Sequence, residues 1–138
     1  EQAVSRDALK DIISNDPTAL RVIEQIVHPL VAKDRAAYIA SVSADIVVLD
    51  IPLLFEGGNE HAFDAVACVI VDEDTQKQRV MARGTMSEEQ FETIRAKQMP
   101  SDEKVRKATY VIRTDTLEAA RAQVQNIVAD IRGKIASA

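Results

Sequence analysis

The segment Ile46-Val47-Val48-Leu49-Asp50-Ile51-Pro52-Leu53-Leu54-Phe55-Glu56 limits the choice of fold more than any other stretch of the chain. Four apolar residues run straight into an acid, and a proline follows two places later. An unbroken apolar run of this kind suits a strand buried on both faces of a parallel sheet. Pro52 cannot donate to a ladder, so the strand is expected to stop near Asp50. Asp50 then stands at a strand's carboxyl end, the edge where open α/β sheets hold their ligands. A carboxylate there can orient a metal-bound water or accept a proton, as in phosphate-transferring enzymes. The plainer alternative is that it only caps the loop.

The remaining 3.6-residue and strand-like patterns support the same class. Ser5 can cap a helix carrying Leu9, Ile12 and Ile13. Asp16-Pro17 and His28-Pro29 each read as a helix start, giving a second and a third helix, the last running to about Ser43. After Gly57-Gly58-Asn59 a short irregular or helical piece leads to Asp64. Val66 to Asp72 reads as a second buried strand, with Asp72 as N-cap of a helix that ends at Gly84-Thr85. Ser87-Glu88-Glu89-Gln90 is a capping box. A polar helix follows, then Pro100 and a basic turn from Ser101-Asp102. Tyr110 to Ile112 is a third strand, and a long helix carries Leu117, Ala120, Val124, Ile127, Ile131 and Ile135. Strands alternating with helices imply crossovers and a parallel sheet. Three strands are few for such a sheet, and its expected first βα unit is not among these residues.

At 138 residues, 46% of them hydrophobic and 28% charged, the chain is long enough for one modest core and is not of disordered composition. A net charge of −5 argues against a general nucleic-acid or bilayer binder. No apolar stretch reaches membrane-spanning length. The single cysteine, Cys68, excludes an intrachain disulfide and permits a reducing compartment. The chain begins at Glu1 without a methionine, a basic start or an apolar signal core, and reads as a clipped or processed piece.

Several residues are candidates for chemistry. Arg79 and Arg83 are four apart and share a helix face, from which guanidinium groups can clamp phosphate oxygens; a solvated helix surface is the alternative. Arg95, Lys97, Lys104, Arg106 and Lys107 lie in a segment too poor in apolar residues to build its own core. That segment is either a lid closing over substrate or an ordinary exposed helical hairpin. His28 reads as an N-cap, His61 has no partner at metal-ligand spacing, and Cys68 reads as a buried inert thiol. None of the four glycines, Gly57, Gly58, Gly84 and Gly133, opens a phosphate-cradling loop or a dinucleotide fingerprint.

Three strings, taken together, resemble the dephospho-CoA kinases, P-loop enzymes of the nucleotide-kinase type. They are Val27-His28-Pro29-Leu30-Val31, the Val48 to Glu56 string with its Asp-Ile-Pro-Leu-Leu-Phe-Glu, and Gln76 to Arg83 leading into Met86 to Gln90. Arg95-Ala96-Lys97-Gln98-Met99-Pro100 with Glu103-Lys104 is similar to the family's lid, and the strings occur in the family's order along the whole chain. The resemblance implies an α/β fold, a parallel sheet flanked by helices (P-loop kinase-like, incomplete here), with a helical acceptor-side segment and a helical lid. It places part of the CoA-side helical domain at residues 1–44, core at 45–83, lid at 84–107, and the last strand and helix at 108–138.

The same resemblance implies a cytoplasmic transferase of coenzyme A biosynthesis. It would use ATP and Mg²⁺ to phosphorylate the 3′-hydroxyl of dephospho-CoA. Asp50 and Arg83 would serve the chemistry, with no protein metal-ligand set. His28, Leu53, Leu54 and Glu56 would meet the acceptor, and Arg79, Arg95, Gln98 and Lys104 the phosphates. The family's N-terminal strand, glycine-rich loop and early Asp-bearing segment are not in these residues, so the chain alone is expected to be inactive. Ile112 to Thr116 also lacks the Asn that the family often has near the adenine. Loss of the first strand is expected to expose Ile46–Leu49 and Val66–Val71, favouring aggregation or pairing with a second copy. The competing readings are a non-catalytic acceptor-binding or assembly module, and another nucleotide-kinase relative with a different acceptor.

Overall fold

A computed structural model of the chain describes residues 4–16 and 18–137. The chain divides into two compact units, Glu1–Asp50 and Ile51–Ala138.

In the first unit Ser5 accepts a hydrogen bond from the amide of Ala8 and opens helix α1, Arg6–Asn15, with Asp7 favourably placed in its first turn. Asp16 then takes both the amide and the hydroxyl of Thr18, at 2.8 and 2.7 Å, just before helix α2, Ala19–Ser41. This local turn is what the Asp16-Pro17 signal encodes, although Pro17 itself lies outside the described residues. The expectation of a fresh helix at His28-Pro29 is corrected, because α2 runs through Pro29 without a break. A proline interrupts the bonding only where its own N–H is missing, so one main-chain bond, to the Gln25 carbonyl, is given up while the turns on either side persist. His28 is therefore an exposed mid-helix residue and not an N-cap.

Ile46 to Asp50 also departs from expectation, since none of the described residues pairs with it in a ladder. Apolar patterning marks a segment that can enter a sheet, but only a neighbouring strand makes it one. Ile46, Val47 and Leu49 are partly covered, whereas Val48 is 84% exposed.

The second unit is built on two parallel strands, β1 (Ala67–Ile70) and β2 (Tyr110–Arg113), in the register Ala67 opposite Tyr110 through Ile70 opposite Arg113. The two expected strands thus form and pair in parallel. Between them run α3 (Glu73–Ala82), α4 (Glu88–Ala96) and α5 (Ser101–Lys107), and α6 (Leu117–Ala136) follows β2 and packs on it. Asp72 caps α3 through the Thr75 amide. The Ser87–Gln90 capping box forms in both directions at α4. Gly84, at φ +63, takes the left-handed conformation that turns the chain away from α3.

The core of this unit is small, with Phe55, Cys68 and Phe91 as its buried apolar side chains. One face of β1 is open, and Val69 is 62% exposed, in keeping with the expected exposure of that strand. Tyr110, Asp130 and Lys134 bond to one another and fasten the far part of α6 to the start of β2. At the other end of β2, Gln123 of α6 accepts from the Arg113 amide at 2.9 Å and donates to the Arg113 carbonyl at 3.0 Å.

Candidate functional site

Parallel strands leave their last carbonyls and the following loops at one edge of the sheet, where side chains from several elements can converge. Here that edge is organised by Thr114. Its amide and hydroxyl both donate to the Ile70 carbonyl, at 2.9 and 3.2 Å, closing the ends of β1 and β2 together. Arg79, from the last turn of α3, donates to the Thr114 carbonyl at 2.9 Å and reaches its hydroxyl at 3.4 Å. Above this floor lies a groove of about 350 Å³, whose walls include Glu73, Arg95, Gln98, Met99 and Lys104.

Two cations of the groove are held by carboxylates. Arg95 sits 2.8 Å from Glu73 of α3 and 3.2 Å from Glu92 of its own helix, with its guanidinium 6.0 Å from the centre of the Phe91 ring. Lys77 of α3 binds Glu88 and Glu92 of α4, so α4 rests on α3 through alternating charges. Each of these pairs is partly exposed and individually weak in water. Lys104 of α5 lies 2.9 Å from Glu56, and both side chains are about four-fifths covered, at 21% and 19% exposure.

Glu56 reaches this position through a tight turn. Gly57 and Gly58 donate to the carbonyls of Leu53 and Phe55, at 3.0 and 3.1 Å. Leu53 adopts φ +56, a left-handed conformation that side chains rarely take and that costs on the order of 1–2 kcal/mol. The turn buries Phe55 and sends the Glu56 carboxylate to the Met99 amide, at 2.9 Å, and to Lys104. Burial raises the Glu56 pKa and is the largest single influence on it. The hydrogen bonds from Lys104, the Met99 amide and its own amide, with the charge of Lys104, hold the carboxyl below its ordinary value all the same.

The predicted residues are therefore distributed as follows. His28 and Asp50 belong to the first unit, and both are exposed. Arg95, Gln98 and Lys104 share the groove, Arg79 supports its floor, and Glu56 bonds to its wall. Leu53 is half-exposed and Leu54 partly covered in the turn beside it. Arg83 ends α3 one turn beyond Arg79, exposed and with no partner among the described residues.

At the opposite edge of the sheet the structure adds a residue that sequence patterning does not single out. Glu60 is 9% exposed and bonds Lys107 at 2.8 Å, while its second oxygen, Oε2, is buried without a partner among the described residues. The Lys107 hydrogen bond lowers its pKa. A lone acid after Gly-Gly-Asn carries no periodic signal that could mark it in advance. Cys68 is buried as expected, and burial raises its thiol pKa. Among the described residues no group of three or more His, Cys, Asp or Glu is arranged to hold a metal ion, and no helix is long and apolar enough to cross a membrane.

A parallel α/β core with a cation-bearing helical segment over the strands' carboxyl ends defines a P-loop kinase-like protein. The family model for dephospho-CoA kinase (CoaE) matches residues 1–119. The chain is 64% identical to the dephospho-CoA kinase of Ruegeria pomeroyi over 132 residues, covering 96% of this chain and 67% of that protein. It is 54% identical to the dephospho-CoA kinase of Cereibacter sphaeroides over 130 residues, covering 94% and 66%. The crystal structure of TT1252 from Thermus thermophilus superposes with a TM-score of 0.80 at 31% identity, covering 91% of this chain and 66% of that one. This chain belongs to the dephospho-CoA kinase family. It spans about two thirds of the length of the curated relatives it matches.

Proposed function

We propose that the protein transfers the γ-phosphoryl group of ATP to the 3′-hydroxyl of dephospho-CoA, giving CoA. The observation that carries this reading is the groove at the carboxyl ends of β1 and β2, where Arg95 and Lys104 stand on a helical segment above Thr114. Phosphoryl transfer asks little covalent chemistry of a protein; it needs positioned phosphates and cations near the charge that develops on them. Arg95 and Lys104 are held by carboxylates, which a polyphosphate would have to displace or share. Arg83, exposed and without a side-chain partner among the described residues, can meet a phosphate without breaking a bond made there.

In this reading Asp50 and Arg83 serve the reacting groups, and His28, Leu53 and Leu54 face the acceptor. Arg79, Arg95, Gln98 and Lys104 form the phosphate side, Arg79 by fixing the groove floor. The helical segment of residues 84–107 is the lid, residues 1–44 the acceptor-side helices, and 45–83 with 108–138 the core. Mg²⁺ bound to nucleotide takes most of its oxygens from phosphate and water and only one or two from protein. Asp50 is the residue that would approach such an ion. When bound, the ion would neutralise charge on the phosphates. The 138 residues contain no glycine-rich phosphate cradle, so the activity is proposed for a polypeptide that also carries one.

The test is product formation by protein expressed from its complete coding sequence, supplied with ATP, Mg²⁺ and dephospho-CoA. CoA resolved by chromatography, with label moving from the γ-position, is the expected result. Failure to form CoA while another hydroxyl acceptor is phosphorylated would overturn the assignment of the acceptor.

A further inference from the structure

We infer that Glu56 is a positioning residue that locks the junction between α4 and α5, setting how that segment meets the nucleotide. The inference rests on the kinase reading above. One oxygen, Oε1, accepts both the Met99 amide and the Lys104 ammonium, each at 2.9 Å. These donors lie on either side of Pro100, which precedes α5 and supplies no side-chain cap. Met99 stands in the short gap between α4 and α5, and Lys104 is one turn inside α5.

The amides of Glu103 and Lys104 bond the Pro100 carbonyl and α5 packs on β1, but Glu56 alone among these ties bonds both sides of Pro100. The C-terminal end of α4 closes on itself, with the Lys97 and Gln98 amides bonded to the carbonyls of Ile94 and Arg95. Met99 and the ammonium of Lys104 are instead tied to a residue more than forty positions earlier in the chain. Because both donors also line the groove, a shift of the Glu56 turn would move the groove wall that carries Arg95 and Gln98. A charge-assisted hydrogen bond in a mostly covered site is the strong kind, and losing its acceptor leaves a backbone amide and an ammonium without a partner. Both donors share Oε1 of a side chain that is only 19% exposed, so the carboxylate's bonds run to its own fold.

The experiment compares wild-type protein from the complete coding sequence with Glu56→Ala and Glu56→Gln. It reads steady-state kinetics with each substrate varied, and amide exchange at Met99 without substrates. Glu56→Ala is expected to lower kcat/KM for ATP about tenfold and leave KM for dephospho-CoA within about twofold. Glu56→Gln, which keeps an acceptor for Met99, is expected to recover kcat/KM to within about threefold of wild type. Met99 exchange should quicken in Glu56→Ala and not in Glu56→Gln. A raised KM for dephospho-CoA with unchanged ATP parameters would overturn the inference in favour of an acceptor contact. Unchanged Met99 exchange in Glu56→Ala would overturn it as well. If Glu56→Ala does not fold, the ATP-against-acceptor split in Glu56→Gln decides. A wild-type protein that makes no CoA refutes the kinase reading alone, and Met99 exchange still decides the lock.

Discussion

Arg79 and Arg83 lie one turn apart on α3 and have different surroundings: Arg79 donates to the Thr114 carbonyl at 2.9 Å, whereas Arg83 has no partner among the described residues. Identical side chains on one helix face are thus divided into a brace and a free cation. Arg79→Ala is expected to cost about 1 kcal/mol of stability, the net worth of a typical hydrogen bond, since Arg79 is exposed to water. Arg83→Ala is expected to stay within about 0.5 kcal/mol of wild type and to lose phosphoryl transfer instead. Urea unfolding and CoA formation, measured on both variants, check the division. Equal stability losses in the two would show that it is absent.

The pH dependence of stability should carry the signature of Glu56. Its folded carboxyl titrates below its ordinary value of 4.5. A depressed carboxyl adds stability that is fully present above the unfolded value and is lost as pH falls through the lower, folded one. Wild type should therefore exceed Glu56→Gln in unfolding midpoint at neutral pH, and the gap should close as pH drops below 4.5. A gap that stays constant down to strongly acid pH would show that the carboxylate's charge is irrelevant to the fold.

Phe91 anchors α4 in a core with few other buried apolar side chains and is only 6% exposed. Phe91→Ala should cost about 3 kcal/mol or more, from lost burial and the cavity left behind. Ser87→Ala, which removes half of the capping box of the same helix, should cost about 1 kcal/mol. Denaturant titrations of the two variants give the ranking, and a larger loss for Ser87→Ala would contradict the anchoring role of Phe91.

Cys68 is 7% exposed, and burial raises its pKa, so the thiol is protonated as well as covered. A disulfide exchange reagent should label it only as fast as the β1 region opens, with a rate that climbs in step with denaturant. Immediate stoichiometric labelling of native protein would place the thiol at the surface.

Local signals in the sequence proved sufficient where the structure itself is local. Ser5, Asp72 and the Ser87–Gln90 pair each satisfy amides within their own first turn, so a few adjacent residues determine the outcome. β1 and β2 were legible because their apolar runs find each other. The Ile46 to Asp50 run has the same pattern and no partner among the described residues, and patterning cannot tell the two cases apart. His28-Pro29 was read as a boundary because the motif resembles a helix start, but a helix of 23 residues has turns enough on both sides to pass it. In the candidate site, the charges of Arg95 and Lys104 were visible, whereas their pairing with Glu73 and Glu56 was not. Glu73 and Glu56 are distant in sequence and meet them only through the fold.

The amide of Gln123 gives the Arg113 main chain the donor and acceptor that a further strand would otherwise provide. A foreign backbone approaching β2 at that point finds the main chain already satisfied by a side chain of the same molecule. Propagation of the ladder outward from β2 is thereby discouraged at its carboxyl end, and the sheet acquires a built-in direction of growth, toward the β1 side.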